Sequence, residues 1–265
     1  MSTGLALVTG ASSGIGEAYA ERLAGDGWDL VLVARRHDRL QEVAARLTGA
    51  HGVAVRVLDT DLADRGGLEE LCAEIATLPL GLLVNNAALA HYMPFSELPA
   101  DRATEVVELN VLAPVRLARA ALPGMLERGE GAIVNLASLL AFSGSWEAPF
   151  LPQRALYASS KSFLVTFTQI LAAELRDTGV RVQVVCPGVV RSEFHTRQGL
   201  DMTGRARMEP DAVVAASLLD LDRGVVVCVP GAVVDAAVEP VSAAARALMP
   251  LTQTVELPER YRAAD

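Results

Sequence analysis

Apolar runs of strand length alternate with longer amphipathic segments along most of the 265-residue chain. The pattern predicts strands over 5–9, 30–34, 53–58, 82–85, 132–136, 180–185 and 225–229. Between them it predicts helices over 14–25, 38–47, 67–77, 101–128, 156–177 and 211–221, with Leu40, Val43, Ala44 and Leu47 sharing one face of the second. The strands are apolar throughout rather than alternating, so both of their faces are expected to be buried. Strand–helix alternation then implies a doubly wound α/β fold: a parallel sheet, helices on both sides, right-handed crossovers. No Pro-, Gly- or Ser-rich linker interrupts it, so a single domain over 1–265 is expected. The apolar tract from 232 is broken by Asp235, Glu239 and Arg246; it is too interrupted to span a bilayer and predicts a helical tail over 232–265.

Composition narrows the function. Hydrophobic residues make up 51% of the chain and mean hydropathy is +0.32, which excludes disorder. A net charge of −9 without a basic stripe argues against nucleic acid and anionic membranes as partners. Cys72, Cys186 and Cys228 are odd in number and widely spaced, fitting buried thiols in a reducing compartment. His37, His51, His91 and His195 form no HxxxH or HxH pair, so no metal site is expected. The chain enters its first strand within a few residues, with no leader in view; the expected location is the cytoplasm.

The first strand runs into Gly10-Ala11-Ser12-Ser13-Gly14-Ile15-Gly16. Glycines there permit a tight turn and close backbone approach, and the next helix aims its free N–H groups at a pyrophosphate. The second strand ends in Arg35-Arg36, with no carboxylate between Leu30 and Arg36. A carboxylate would serve ribose hydroxyls, whereas guanidinium forks suit a 2′-phosphate, so NADP(H) is the expected cofactor, with NAD(H) possible. Asp61, after the third strand, suits the adenine amino group or the N-cap of the next helix.

The chemical residues lie further on. Ser138 follows the fifth strand, and Tyr157 and Lys161 are four residues apart on one predicted helix face. A phenol of pKa about 10 needs roughly 4 kcal/mol of differential stabilisation to reach about 7. A cation about 5 Å away contributes roughly 3 kcal/mol at an effective dielectric of about 20, so the pair is expected to yield a phenol that exchanges protons near neutrality.

TGxxxGIG from Thr9, Asn85-Asn86-Ala87, Asn110, Ser138, Tyr157-x-x-x-Lys161 and Pro187-Gly188 together resemble the short-chain dehydrogenase/reductase family over about residues 3–230. The resemblance implies a single-domain Rossmann fold with a seven-stranded sheet, assembled as a homodimer or homotetramer. It implies an enzyme moving hydride between nicotinamide and the carbonyl or alcohol group of a small molecule. Tyr157 would then be the acid or base, Lys161 would hold the nicotinamide ribose and lower the tyrosine pKa, and Ser138 would bond the substrate oxygen. Asn110 would kink its helix and hold a relay water. Gly10, Ser12, Ser13, Gly14, Ile15 and Gly16 would take the pyrophosphate. Arg35, supported by Arg36, would take the 2′-phosphate, and Asp61 with Leu62 the adenine. Asn86 and Ala87 would line the adenosine side, and Pro187, Gly188, Val190 and Ser192 the carboxamide.

The sequence departs from the family pattern in four places. Ala88 stands for the usual glycine, Ser192 for threonine, and Ser13 for a second basic residue. The 19-residue interval from Ser138 to Tyr157 is longer than usual; its extra residues fall within 143–156, beside the substrate or as a packed surface loop. The mobile substrate lid expected over 189–208 carries Arg191, Arg197, Arg205 and Arg207 against Glu193 and Asp201. These arginines hint at an anionic substrate or carrier, or are solvated, or meet cofactor phosphates. Phe142, Trp146, Phe150, His91 and Tyr92 suit a largely apolar pocket. A non-catalytic nucleotide sensor and another Rossmann-like enzyme, such as a methyltransferase, are the competing classes.

Overall fold

The computed structural model describes residues 4–144, 146–148, 151–232 and 243. Its first strands and helices are β1 (Leu5–Thr9), α1 (Gly14–Gly25), β2 (Asp29–Val33), α2 (His37–His51), β3 (Val55–Leu58) and α3 (Arg65–Ile75). They continue as β4 (Leu80–Asn85), α4 (Ala100–Val107), α5 (Ala113–Arg128), β5 (Gly131–Leu136), α6 (Ala155–Glu174) and β6 (Val180–Val185). A short α7 (Glu193–Arg197), α8 (Pro210–Asp222) and β7 (Val227–Cys228) follow. The seven strands pair in parallel in the order β3-β2-β1-β4-β5-β6-β7. This is the doubly wound α/β fold that the pattern predicts.

Pleat periodicity assigns alternate strand residues to two cores. Ala6 and Val8 of β1, Leu82 and Val84 of β4, and Ala132 and Val134 of β5 pack with Leu23 of α1, Leu40 of α2 and Val213 of α8. Their neighbours Leu7, Leu83 and Ile133 pack on the other side with Leu71 of α3 and Leu117 and Met125 of α5. Burying both faces explains why the strands carry no polar alternation.

Strand order reverses at β1, which lies between β2 and β4. The loops leaving β1 and β4 therefore diverge and open a crevice at the carboxyl edge of the sheet. Residues to Pro230 form one compact unit. The tail expected over 232–265 falls, apart from 232 and 243, outside the described residues.

Two expectations change in detail. The long helix over 101–128 is interrupted by a π-helical turn, Glu108–Leu112, with Asn110 at its centre. The polar segment after β6 contains α7, too short to leave a periodic signal.

Candidate active site

One cavity of about 580 Å³ runs along the carboxyl edge of the sheet. Every expected cofactor residue lines it except Gly16, as do Ser138, Tyr157 and Lys161; Asn110 does not.

At the nucleotide end the backbone does most of the shaping. Gly10 and Gly14 hold φ of +67° and +58°, where a side chain would be strained. A Cβ on Gly16 would lie 2.3 Å from Gly10 O and 2.5 Å from Asn86 Nδ2, so glycine serves close packing there. Ser13, the N-cap of α1, makes no capping bond; its hydroxyl accepts from Arg36 Nη2 at 2.9 Å. Free N–H groups at an uncapped helix start suit an anion.

Arg36 also donates to Ser12 O at 3.1 Å and to Glu193 of α7 at 3.1 Å, bracing the loop. Arg35 is less committed: it is more than half exposed, with Asp61 and Glu105 each 3.7 Å away. Asp61 accepts from Ala63 N–H, and Asp64 rather than Asp61 caps α3 by accepting from Gly67 N–H at 2.8 Å. The capping alternative for Asp61 is thereby corrected: three further residues intervene before the helix starts. Asn86 lines the cavity, but its Nδ2 donates to Thr9 O at 2.9 Å and Gly10 O at 3.3 Å. Thr9 Oγ1 in turn accepts from the N–H groups of Asn86 and Ala87, joining the ends of β1 and β4.

At the chemical end, Ser138 sits beyond β5 and its Oγ accepts from Leu140 N–H at 3.2 Å, capping a short 3-10 turn. Tyr157 and Lys161 lie on the first two turns of α6, both buried. Lys161, the only lysine in the chain, donates from Nζ to Leu136 O at 2.8 Å and lies 5.8 Å from the Tyr157 ring centroid. Burial pushes the Tyr157 phenol up to about 12, with the Ser138 hydroxyl pulling the other way. Burial also brings the Lys161 amine down to about 7. The expected acidification of Tyr157 by Lys161 is therefore not supplied by these groups alone. Desolvation opposes the charged form of each, and the amine is half neutral near pH 7.

Buried side-chain bonds hold α6 in place. Asn85 Nδ2 of β4 donates to Asn135 Oδ1 of β5 at 2.9 Å, and Asn135 Nδ2 donates to Thr168 Oγ1 of α6 at 2.9 Å. Asn110 Nδ2 donates to Leu89 O at 2.9 Å and to Ser160 Oγ at 3.1 Å, while its Oδ1 accepts from Leu89 N–H. Its side chain is thus spent on the loop after β4 and on α6, and the widened π turn forms around it.

Aromatic rings flank the phenol: Tyr92 edge-on at 5.6 Å between centroids and Phe194 of α7 tilted at 5.8 Å. Phe194 and the Asn135–Thr168 link escaped sequence reading, because neither has a local spacing signature. Backbone pairing of Val189 and Arg191 with Met208 ties the ends of the 189–208 segment together, leaving the Val190 N–H and C=O out of that pairing. Of the pocket-shaping residues expected from sequence, Tyr92 and Trp146 line the cavity; His91 and Phe142 do not, and Phe150 lies outside the described residues.

A doubly wound sheet whose glycine-lined crevice continues to Ser138, Tyr157 and Lys161 defines a nucleotide-binding α/β protein. The short chain dehydrogenase family matches over residues 4–202, and the chain belongs to that family. It is 34% identical to the very-long-chain 3-oxoacyl-CoA reductases of Anas platyrhynchos, over 71% of this chain, and Homo sapiens, also over 71%. The alignments span 60% of those relatives' length. Among solved structures, a short-chain dehydrogenase from Sphingobium yanoikuyae in complex with NADPH superposes with a TM-score of 0.91 at 37% identity, over 97% of this chain and 99% of that one. The bulky-bulky ketone specific alcohol dehydrogenase from Comamonas testosteroni follows at 0.88 and 32%, over 98% of each chain.

Proposed function

We propose that this protein is an NADP(H)-dependent oxidoreductase that interconverts a carbonyl group and a secondary alcohol on a largely apolar small molecule. The observation that carries this reading is the convergence of the Ser138 hydroxyl, the Tyr157 phenol and the Lys161 amine on a cavity that continues to the glycine loop and Arg35. The loop fits a pyrophosphate: Gly10 and Gly14 turn its backbone, and the start of α1 has no side-chain cap. Arg35, half exposed at the cavity with long contacts to carboxylates, is placed to meet an additional phosphate.

NADPH, when bound, supplies the hydride for reduction at the carbonyl carbon. Ser138 Oγ donates a hydrogen bond to the substrate oxygen and holds it against charge development. Tyr157 Oη gives that oxygen its proton; a buried phenol kept neutral is suited to act as the acid. Lys161 spends one N–H on Leu136 O and has two left for the cavity, where an anionic partner favours its charged form. Tyr92 and Phe194 flank the phenol, which is buried.

Three free cysteines fit a cytoplasmic setting. No helix among the described residues is long and apolar enough to cross a membrane. Exposed Val107 and Leu126, with Phe163 and Ile170 on α6, fit assembly as a homodimer or homotetramer.

Tyr157→Phe tests the chemistry. Turnover of ketones with NADPH should fall by at least about 10³-fold, while the NADPH dissociation constant stays within about threefold. Undiminished turnover would end the assignment.

A further inference from the structure

Within the longer Ser138–Tyr157 interval, one side chain gathers several of the described residues. Arg154 stands at the N-cap of α6, three residues before Tyr157, yet its guanidinium turns back over the preceding loop. Its Nε donates to Ser143 Oγ at 2.8 Å, and its Nη2 donates to Ser143 O at 2.8 Å and Trp146 O at 2.6 Å. A longer contact joins Nη1 to Pro152 O at 3.4 Å. No described carboxylate forms an ion pair with Arg154, so its recorded hydrogen bonds serve the loop alone. Ser143 is buried and its hydroxyl donates onward to Leu140 O, in the turn that Ser138 caps.

These acceptors belong to the wall of the cavity. Ser143, Trp146, Leu151 and Pro152 line it, as do Tyr157 and Leu139. Irregular backbone with half-buried carbonyls needs donors from elsewhere, and a planar fork can satisfy several of them in a fixed geometry. We propose that Arg154 is a positioning residue that locks this wall to the start of the catalytic helix, and so sets how bulky a carbonyl compound can be when it reaches the phenol. The proposal rests on the carbonyl-reductase reading and goes beyond it by assigning substrate discrimination to a side chain outside the reacting groups. A small ketone needs only Ser138 and Tyr157. A large one also leans on Trp146, Leu151 and Pro152, and a displaced wall misplaces it.

The test compares Arg154→Ala and Arg154→Lys with the parent protein on two substrates, a small methyl ketone and a diaryl ketone, together with NADPH binding. For Arg154→Ala, KM for the diaryl ketone should rise by about tenfold or more, with kcat changed less than about threefold. The small ketone should change less than about threefold in kcat/KM, and NADPH affinity should hold. Arg154→Lys, which keeps a donor but loses the fork, should recover part of the diaryl KM. Equal losses on both ketones, or no loss on either, overturn the proposal. A readout independent of turnover is acrylamide quenching of Trp146, isolated as the difference from Trp146→Phe counterparts, since the other tryptophan, Trp28, is buried. Quenching should increase in Arg154→Ala; unchanged quenching also overturns the proposal. If the parent reduces neither ketone, the reductase reading falls by itself. Arg154 is then judged on quenching and on diaryl ketone binding followed by the same emission, where unchanged affinity counts against it.

Discussion

The two ends of the cavity are built from different materials. At the nucleotide end the surface is backbone and small side chains, set on strand ends β1, β2 and β4 and joined by Thr9 and Asn86. At the substrate end the walls are Tyr92, Trp146, Leu151, Phe194 and Met202, carried on loops and on the five-residue α7. A phosphate-bearing ligand of constant shape can be met by fixed N–H groups and arginines. The apolar walls of the substrate end are held through loop bonds such as those of Arg154.

Among the cofactor-binding variants, the largest expected effect lies at the glycine loop. Gly16→Ala forces a Cβ onto the Gly10 carbonyl and should weaken NADPH binding about a hundredfold, or roughly 2.7 kcal/mol. Gly144→Ala, on the substrate-side loop where an added Cβ meets nothing within 4 Å, should leave binding unchanged. Titration of NADPH fluorescence reads both, and equal responses would break the contrast.

A smaller effect separates the two arginines. Arg35→Ser should cost NADPH about tenfold and NADH little, because a charge-assisted bond to phosphate is worth about 1.5–3 kcal/mol. Arg36→Ser should weaken both cofactors, because Arg36 braces Ser12 and Ser13. A selective loss of NADPH in Arg36→Ser, with none in Arg35→Ser, would reverse the assignment.

A further expected effect, on stability rather than on binding, is a pH dependence. A buried amine held at about 7, against about 10.4 when unfolded, destabilises the fold in full below pH 7, and the cost fades as pH rises. Stability of the unliganded protein should therefore rise as pH increases above about 7, and Lys161→Met should flatten that slope. Since Lys161 is the sole lysine, ¹³C-lysine labelling isolates its ε-carbon resonance. A titration midpoint near 10 would contradict the burial argument.

Much of the fold and site was legible because its signals are local. Apolar runs mark strands buried on both faces; the glycine spacing follows from positive φ at Gly10 and Gly14; a four-residue interval puts Tyr157 and Lys161 on one helix face. Most of what escaped depends on partners far away in the chain; the cap of α3 is the local exception, its partner Gly67 lying three residues on. Asp64 instead of Asp61 caps α3, a choice settled by where the chain turns. The π turn at Asn110 forms where its amide reaches Leu89 and Ser160, 21 and 50 residues away. The pull on Tyr157 also depends on long-range placement: proximity to a cation is local along a helix, whereas desolvation is set by everything packed around the ring.

The amino-acid sequence by itself determined the α/β sheet, the order of its elements along the chain and which side chains are candidates for the site, because hydrophobic period and residue spacing act over a few residues. Only the tertiary structure decided which polar atoms are spent on the scaffold and which are left for a ligand. Asn86, Asn110 and Arg36 acquire their partners across loops and layers and Arg154 within its own loop, and a hydrogen bond's partner cannot be assigned until both ends are in place.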